Sequence, residues 1–456
     1  MIRLRRVSRV LLSLVFMGSA VCVGAEPGWK VGLGKSKITP DKPMWMAGYG
    51  SRMHPSEGKL QDLWVKALAL EVADGGRAVV VTSDLLGFPR KISEQICAQV
   101  AKRYGLERSR IMLTSSHTHC GPVLAEALYD IYPLDDQQRA LIEEYSAGLV
   151  PKVVAAVGEA FKRPEPAVLS IGLGETTFGT NRRNNTEKSL TEALLRGETP
   201  KGPSDHAVPV LAVQCPKGKL RSLLFGYACH NTCLSVYEWC GDYAGMAMAA
   251  LERDYPGVQA MFYIGCGSDQ NPMPRREVRL CEKYGHMLAA SVEQVIEKPM
   301  RPVAPTLRTA FATLDLPFGQ QPTREELKKL QAKGSIYDKR WSTHVLADLD
   351  QGKKLPASYP YPVQVWRLGA DQLWIVLGGE VVVDYSLAFK AKYGEKTWVT
   401  GYANDVMSYI PSHRIWEEGR YEAGAFFVYG LPALRWCEDI ETRISGCVDK
   451  LVAQVR

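Results

Sequence analysis

The chain has 456 residues, 46% of them hydrophobic and 23% charged, which is ordinary globular composition with length for a large core. The formal net charge is +7, but residues 1–25 hold four arginines and no acid, so the remainder carries about +3. With no basic run in that remainder, an electrostatic nucleic-acid footprint is excluded, and no later apolar run reaches the roughly 18–20 residues that cross a bilayer.

The start, "MIRLRRVSRVLLSLVFMGSAVCVGAEP", reads as a secretory leader. Arg3, Arg5, Arg6 and Arg9 form a basic region, Val10 to Val23 an apolar one, and Val23-Gly24-Ala25 a small-residue cleavage site. Residues 1–25 are therefore expected to be removed as the chain is exported to a periplasm or secreted, with 26–456 as one mature domain. Losing Cys22 leaves ten cysteines, an even number that permits disulfides in an exported protein without fixing their pairing.

"VGLGKSKITP" is strand-like, and "LWVKALALEVADGGRAVVVTSDLLGF" holds two apolar runs around Asp74-Gly75-Gly76, a hairpin signal. The pattern predicts helices over about 91–104 and 135–161, with "SRIMLTSSHTH" as a strand between them. Further strands fall in "AVLSIGLGETTFG", "HAVPVLAVQC" and "LRSLLFGYACH". A helix over about 243–253, a buried strand in "VQAMFYIGCGSDQNP", a helix over 276–298 and strands near 306–316 follow. The polar stretch 320–361 is a candidate insertion, and Thr323 and Glu326 at its start have capping-box spacing. Beyond it come a strand pair ("PVQVWRLGADQLWIVLGGE"), a short helix, "TWVTGYAND" and a closing helix over about 437–455. Hairpins mixed with strand–helix alternation predict an α/β fold with a mixed sheet core flanked by helices.

Five stretches carry chemistry. "SHTHCGP" spends two of the chain's eight histidines one residue apart. If the strand persists through them, alternation points His117 and His119 to one side, where they can share a metal, or one can bind while the other moves protons. The bland alternative is a hydrogen-bonded pair at a strand edge. "YACHNTC" places His230 at the C-terminal end of an apolar strand, where open α/β sheets put their ligands. Cys229 and Cys233 beside it raise a disulfide or a structural zinc, although paired CxxC units are lacking.

"LWIVLGGEVVV" delivers Glu380 to a turn after a buried strand; the alternative is an acid at a helix N-terminus. "NDVMSYIPSHRIWEEGRYE" sets Tyr409 and Tyr421 among loop residues, where tyrosines most often only pack. "YIGCGSDQNP" carries Ser268, Asp269 and Asn271 on a glycine-rich turn that is neither a phosphate loop nor a nucleophile elbow.

In order and spacing these stretches resemble the neutral, non-lysosomal ceramidases, in their N-terminal catalytic domain, from "VGLGKSKITP" to about Leu434. "SHTHCGP" is similar to the family's HTHSGPG stretch, which implies His117 as a zinc ligand and His119 as an acid/base. The resemblance likewise implies His230, Glu380 and Tyr409 as ligands, with Tyr421 facing substrate twelve residues on. "TNRRNN" resembles the segment that meets the substrate carbonyl, which points to Asn181 and Arg182. The implied activity is zinc-dependent hydrolysis of a linear amide, in an N-acyl lipid or related molecule, by a zinc-bound hydroxide. Arg182 and Tyr421 would donate to the developing oxyanion.

The sequence departs from the family in places. The family's turn reads Gly-Asp-x-Ser-Pro-Asn; here Asp269 keeps the aspartate and Asn271 replaces the serine, so no hydroxyl nucleophile stands there. Cys120 replaces the serine after the second histidine. Members usually carry a C-terminal immunoglobulin-like domain, and with the sequence ending at Arg456 none is expected here. That weakens ceramide as the substrate relative to a non-lipid amide or an ester. The alternative is a catalytically silent exported binding protein that keeps the fold; a redox scaffold has no CxxC to support it.

Overall fold

The computed structural model describes residues 28–456; the expected leader lies outside them. One mixed sheet runs, from edge to edge, through strands Gln259–Ile264, Leu220–Tyr227, Ala207–Gln214, Glu165–Glu175, Trp29–Lys37, Trp64–Val72, Arg77–Ser83 and Ile111–Leu113. The outermost pair at each end is parallel and the pairs between are antiparallel. A second sheet joins Leu307–Pro317, Ser358–Leu368, Gln372–Leu377 and Trp398–Thr400.

Period-two alternation sorts the large sheet's side chains between two cores. Val65, Ala67, Ala69, Val79 and Val81 face the helices Arg90–Tyr104, Asp136–Lys162, Asp242–Asp254 and Val278–Ile296. Leu68, Leu70, Val72, Ala78 and Val80 face the second sheet, where Trp366, Trp374 and Trp398 fill the interface. The far face of the second sheet is closed by Val383–Tyr393 and Ile440–Gln454. The result is four layers, helices–sheet–sheet–helices, and the expected mixed-sheet α/β class holds.

Side chains tie one end of the large sheet back to its middle. Gln259 Nε2 donates to the Ala67 carbonyl (3.2 Å), and the buried Lys66 ammonium donates to the Ala260 carbonyl (2.8 Å) while pairing with Glu252 (2.6 Å). The segments leaving Ile111–Leu113 and Leu220–Tyr227 therefore meet. His119 N–H donates to the Asn231 carbonyl (3.2 Å), and the Asn231 amide donates to the Ser116 carbonyl (2.5 Å).

Two local expectations change. The strand drawn through His119 is regular only over Ile111–Leu113. Thr114 and Ser116 N–H still bond the Val81 and Ser83 carbonyls, but the chain then turns at His117, whose φ is 60°. Alternation therefore does not set the two rings' directions. The helix expected from 276 begins at Val278, because Arg276 has φ 89° and donates its N–H to the Cys233 carbonyl (2.7 Å).

The 320–361 stretch forms helices Arg324–Lys333 and Ile336–Asp350, the first capped by Thr323 and Glu326 as its spacing predicts. Trp341 packs with Leu327 and Val345 in a small separate core and donates to the Leu431 carbonyl (2.9 Å). Arg340 donates to the Ile131 carbonyl (3.1 Å), so this pair of helices straps the 131 and 431 segments together. Among the described residues no helix is long and apolar enough to cross a membrane.

Candidate metal centre

His117 and His230 are pinned in one orientation each. Their Nδ1 atoms sit 2.7 Å from the Leu86 carbonyl and 2.8 Å from the Gly267 carbonyl. A carbonyl only accepts, so Nδ1 carries the proton in both rings and each Nε2 turns a lone pair inward. The two Nε2 atoms converge on Glu380 Oε2, at 3.3 Å from His117 and 3.1 Å from His230. His119 Nε2 stands 3.2 Å from His117 Nε2, and the ligating nitrogens of the three histidines all lie within 4.8 Å of one another.

Glu380 reaches this point through backbone geometry. Gln372–Leu377 ends in Gly378-Gly379, and Gly379 has φ 72°. A Cβ there would sit 2.6 Å from Ile410 Cγ1, so only glycine fits. Glu380 then pairs with Tyr409 in a short parallel bridge, and its other oxygen, Oε1, accepts from the Tyr429 hydroxyl (2.7 Å). Gly48 (φ 98°) lies flat against the His119 ring, where a side chain would collide with it.

Burial sets the charges. It pushes His230 down to about 4, helped by Arg182, and holds His119 well below the ordinary histidine range, helped by His117. Burial also raises the Glu380 carboxyl, whereas positive charge at His117 and His230 lowers it well below the usual range; with both rings neutral, that charge has to come from a cation between them. Two imidazole acceptors facing one carboxylate oxygen at 3.3 and 3.1 Å repel it unless a cation lies among them. Two imidazole nitrogens and a carboxylate oxygen suit zinc, so the residues present fit that ion.

The expected neighbours assemble around this point. His119, Arg182, Glu380, Tyr409 and Tyr421 line a cavity of about 230 Å³, and His117 and His230 are fully buried behind it. Tyr409 and Tyr421 meet edge to face with centroids 5.1 Å apart, and the Arg182 guanidinium lies over both rings at 5.8 and 5.6 Å. Arg182 Nε is held by Glu422 (2.9 Å), while its terminal nitrogens make only 3.5 Å contacts, to Asn271 Oδ1 and the Tyr409 hydroxyl.

Asn271 lines an adjoining cavity of about 480 Å³ that shares Arg182, Arg275 and Tyr421 with the first. Asp269 and Asn181 line neither. Asp269 accepts from Val383 N–H (2.8 Å) and from the Asn181 amide (3.0 Å), and its carbonyl receives Arg182 N–H (2.7 Å). These two buckle the turn that aims Arg182.

Three further tyrosines belong to the site: Tyr429 and Tyr49 line the cavity, and the Tyr402 ring lies 4.3 Å from that of His117. No spacing marks them, because each contact joins distant segments. A second buried group, Cys233, Asp242 and Cys281, also brings its ligating atoms within 4.8 Å. There the Asp242 carboxylate is occupied by the N–H groups of Cys233, Leu234 and Tyr243. All ten described cysteines are free thiols.

Residues 29–345 match the family description "Neutral/alkaline non-lysosomal ceramidase, N-terminal", more than two thirds of the chain. The chain belongs to that family. The family match ends before Glu380, but likeness of fold continues past it. The crystal structure of neutral ceramidase from Pseudomonas aeruginosa superposes with a TM-score of 0.71 at 20% identity, covering 94% of this chain and 74% of that one. A structure described as ceramidase complexed with C2 gives 0.68 at 18% identity, covering 94% and 76%. No curated protein matches by sequence. At these identities the two structures establish this family member's fold.

Proposed function

We propose that this family member is a zinc-dependent hydrolase of linear amide bonds, with His117, His230, Glu380 and Tyr409 holding the ion. The observation that carries the reading is the convergence of two inward lone pairs on one buried carboxylate oxygen. Zinc in such a donor set acts as a Lewis acid and makes water acidic enough to attack at neutral pH.

The chain's own residues supply the rest. His119 is kept neutral by burial, and its Nδ1 has no partner among the described residues, unlike the pinned rings beside it. A neutral ring at this position, with Nδ1 unpartnered, takes the attacking water's proton and returns it to the leaving amine. Arg182, fixed along one edge by Glu422, turns its loosely held terminal nitrogens to the carbonyl oxygen, with the Tyr421 hydroxyl beside them. Asn271 offers no hydroxyl for an acyl intermediate, so direct attack by water is the route this site supports. We propose too that the protein acts after export, the leader itself lying outside the described residues.

The test is release of free amine from N-acyl amides by the purified mature chain. Activity abolished by a chelator and restored by zinc supports the reading. A zinc-loaded protein that cleaves no amide or ester would favour the silent binding protein instead.

A further inference from the structure

The cavity's charge departs from what a neutral lipid amide requires. Three arginines line it, Arg182, Arg275 and Arg276, against one carboxylate, Glu380, which faces the histidines. Arg182 is paired with Glu422 (2.9 Å), and Arg275 with Glu187 (3.0 Å). Arg276 makes no ion pair with a described carboxylate; its guanidinium lies over the Tyr49 ring at 4.9 Å. The backbone holds it there, with φ 89° and its N–H bonded to the Cys233 carbonyl (2.7 Å). An exposed arginine at the cavity wall, held in a left-handed backbone with its guanidinium over Tyr49 and no acid paired to it, is arranged for an anion from outside.

Its position also says which half of the substrate carries that anion. Tyr49 stands between Arg276 and His119, its ring centroid 4.7 Å from that of His119, its hydroxyl donating to the Leu234 carbonyl (2.9 Å). His119 is the group that protonates the leaving amine, whereas Arg182, Tyr409 and Tyr421 cluster at the carbonyl oxygen. Arg276 therefore lies on the amine side. We propose that Arg276 binds an acidic group on the amine half of the substrate, so that the preferred amides are N-acyl amino acids rather than amides of a neutral amino alcohol. This rests on the hydrolase reading above. The reaction is plain hydrolysis: water adds its oxygen to the acyl carbon, the C–N bond breaks, and the amine leaves with a proton and its acid group intact.

The experiment compares N-hexanoyl-glycine, N-hexanoyl-taurine, N-hexanoyl-ethanolamine and N-hexanoyl-sphingosine as substrates of the zinc-loaded protein. The glycine amide is expected to exceed both neutral amides in kcat/KM by about tenfold or more, through KM, as one charge-assisted contact provides. In Arg276→Gln that preference falls to within about twofold, whereas Arg279→Gln, an exposed arginine paired with Glu277, keeps it. The taurine arm separates a carboxylate site from one that takes any acid. A wild-type preference for the sphingosine or ethanolamine amide, or one for glycine that survives Arg276→Gln, overturns the proposal. Calorimetric binding of N-hexanoyl-glycine in the His119→Ala background, where metal is kept and turnover lost, tests it without cleavage: about tenfold weaker binding on adding Arg276→Gln is expected, and equal binding overturns it. No cleavage of any amide, with that binding difference present, would sink the hydrolase reading alone.

Discussion

Glu380 Oε2 lies 3.1 Å from His230 Nε2, although 150 residues separate the two in the chain. His230 follows a strand of the large sheet and Glu380 a strand of the small one, so their meeting depends on how the two sheets stack. The same oxygen lies 3.3 Å from His117, which comes from the opposite edge of the large sheet. The centre therefore forms only when both sheets and both edges are in place.

His119 and His117 are neighbours with different duties. His119→Ala is expected to leave the metal bound and to lower turnover about 10²- to 10⁴-fold, the usual loss of a proton-transfer group. His117→Ala is expected to lose the metal outright. Metal content and rate measured on the same samples check both. Release of metal from His119→Ala would mean that the two roles are wrongly assigned.

Tyr429 is the carboxylate's outer partner. Tyr429→Phe removes the 2.7 Å hydrogen bond to Glu380 Oε1 and is expected to weaken metal affinity by about 10- to 100-fold while the fold stays intact. Competition against a chromophoric chelator reads this directly. An unchanged affinity would show that Glu380 is oriented by its backbone alone.

Gly379→Ala should act on stability and metal together. With φ 72° and Ile410 Cγ1 2.6 Å from the new Cβ, the backbone must shift at the residue before Glu380. The expected cost is about 1–3 kcal/mol, seen as a lower Tm, with metal retention reduced in the folded fraction. Full stability and full metal would remove the strained turn from this account.

Asp405 gives a pH dependence. Burial raises its carboxyl from 3.8 to about 7, against the Tyr359 hydroxyl that donates to it (2.7 Å). A folded-state value above the unfolded one means the stability contribution is complete below 3.8 and is lost as pH rises towards about 7. Asp405→Asn keeps an acceptor for Tyr359 and carries no charge. It should therefore match wild type near pH 4 and exceed it by a few kcal/mol near pH 8. Urea denaturation at the two values checks this, and parallel pH profiles for both proteins would contradict it.

The sequence made the elements and the ligand types legible, but not the turns that aim them. Alternation along Trp64–Val72 and Arg77–Ser83 is easy to read because those strands separate two cores. His117, His230 and Glu380 stood out because each polar group follows an apolar run. What alternation could not give was the φ of 60° at His117, which ends the strand before the site begins. Arg276 was hidden in the same way, since its left-handed backbone delays a helix whose pattern starts there. Tyr429 and Tyr49 carry no local signal at all. Their partners lie 49 and more than 180 positions away, through contacts that exist only once the layers close.

Whether the site holds a cation is read by elemental analysis of the purified mature chain, prepared without chelator, beside His230→Ala and Glu380→Ala. One zinc per chain in the wild type, lost in both variants, is the predicted result. A wild-type protein with no stoichiometric metal, or variants that keep the ion, would contradict the convergence of His117, His230 and Glu380 on a shared cation.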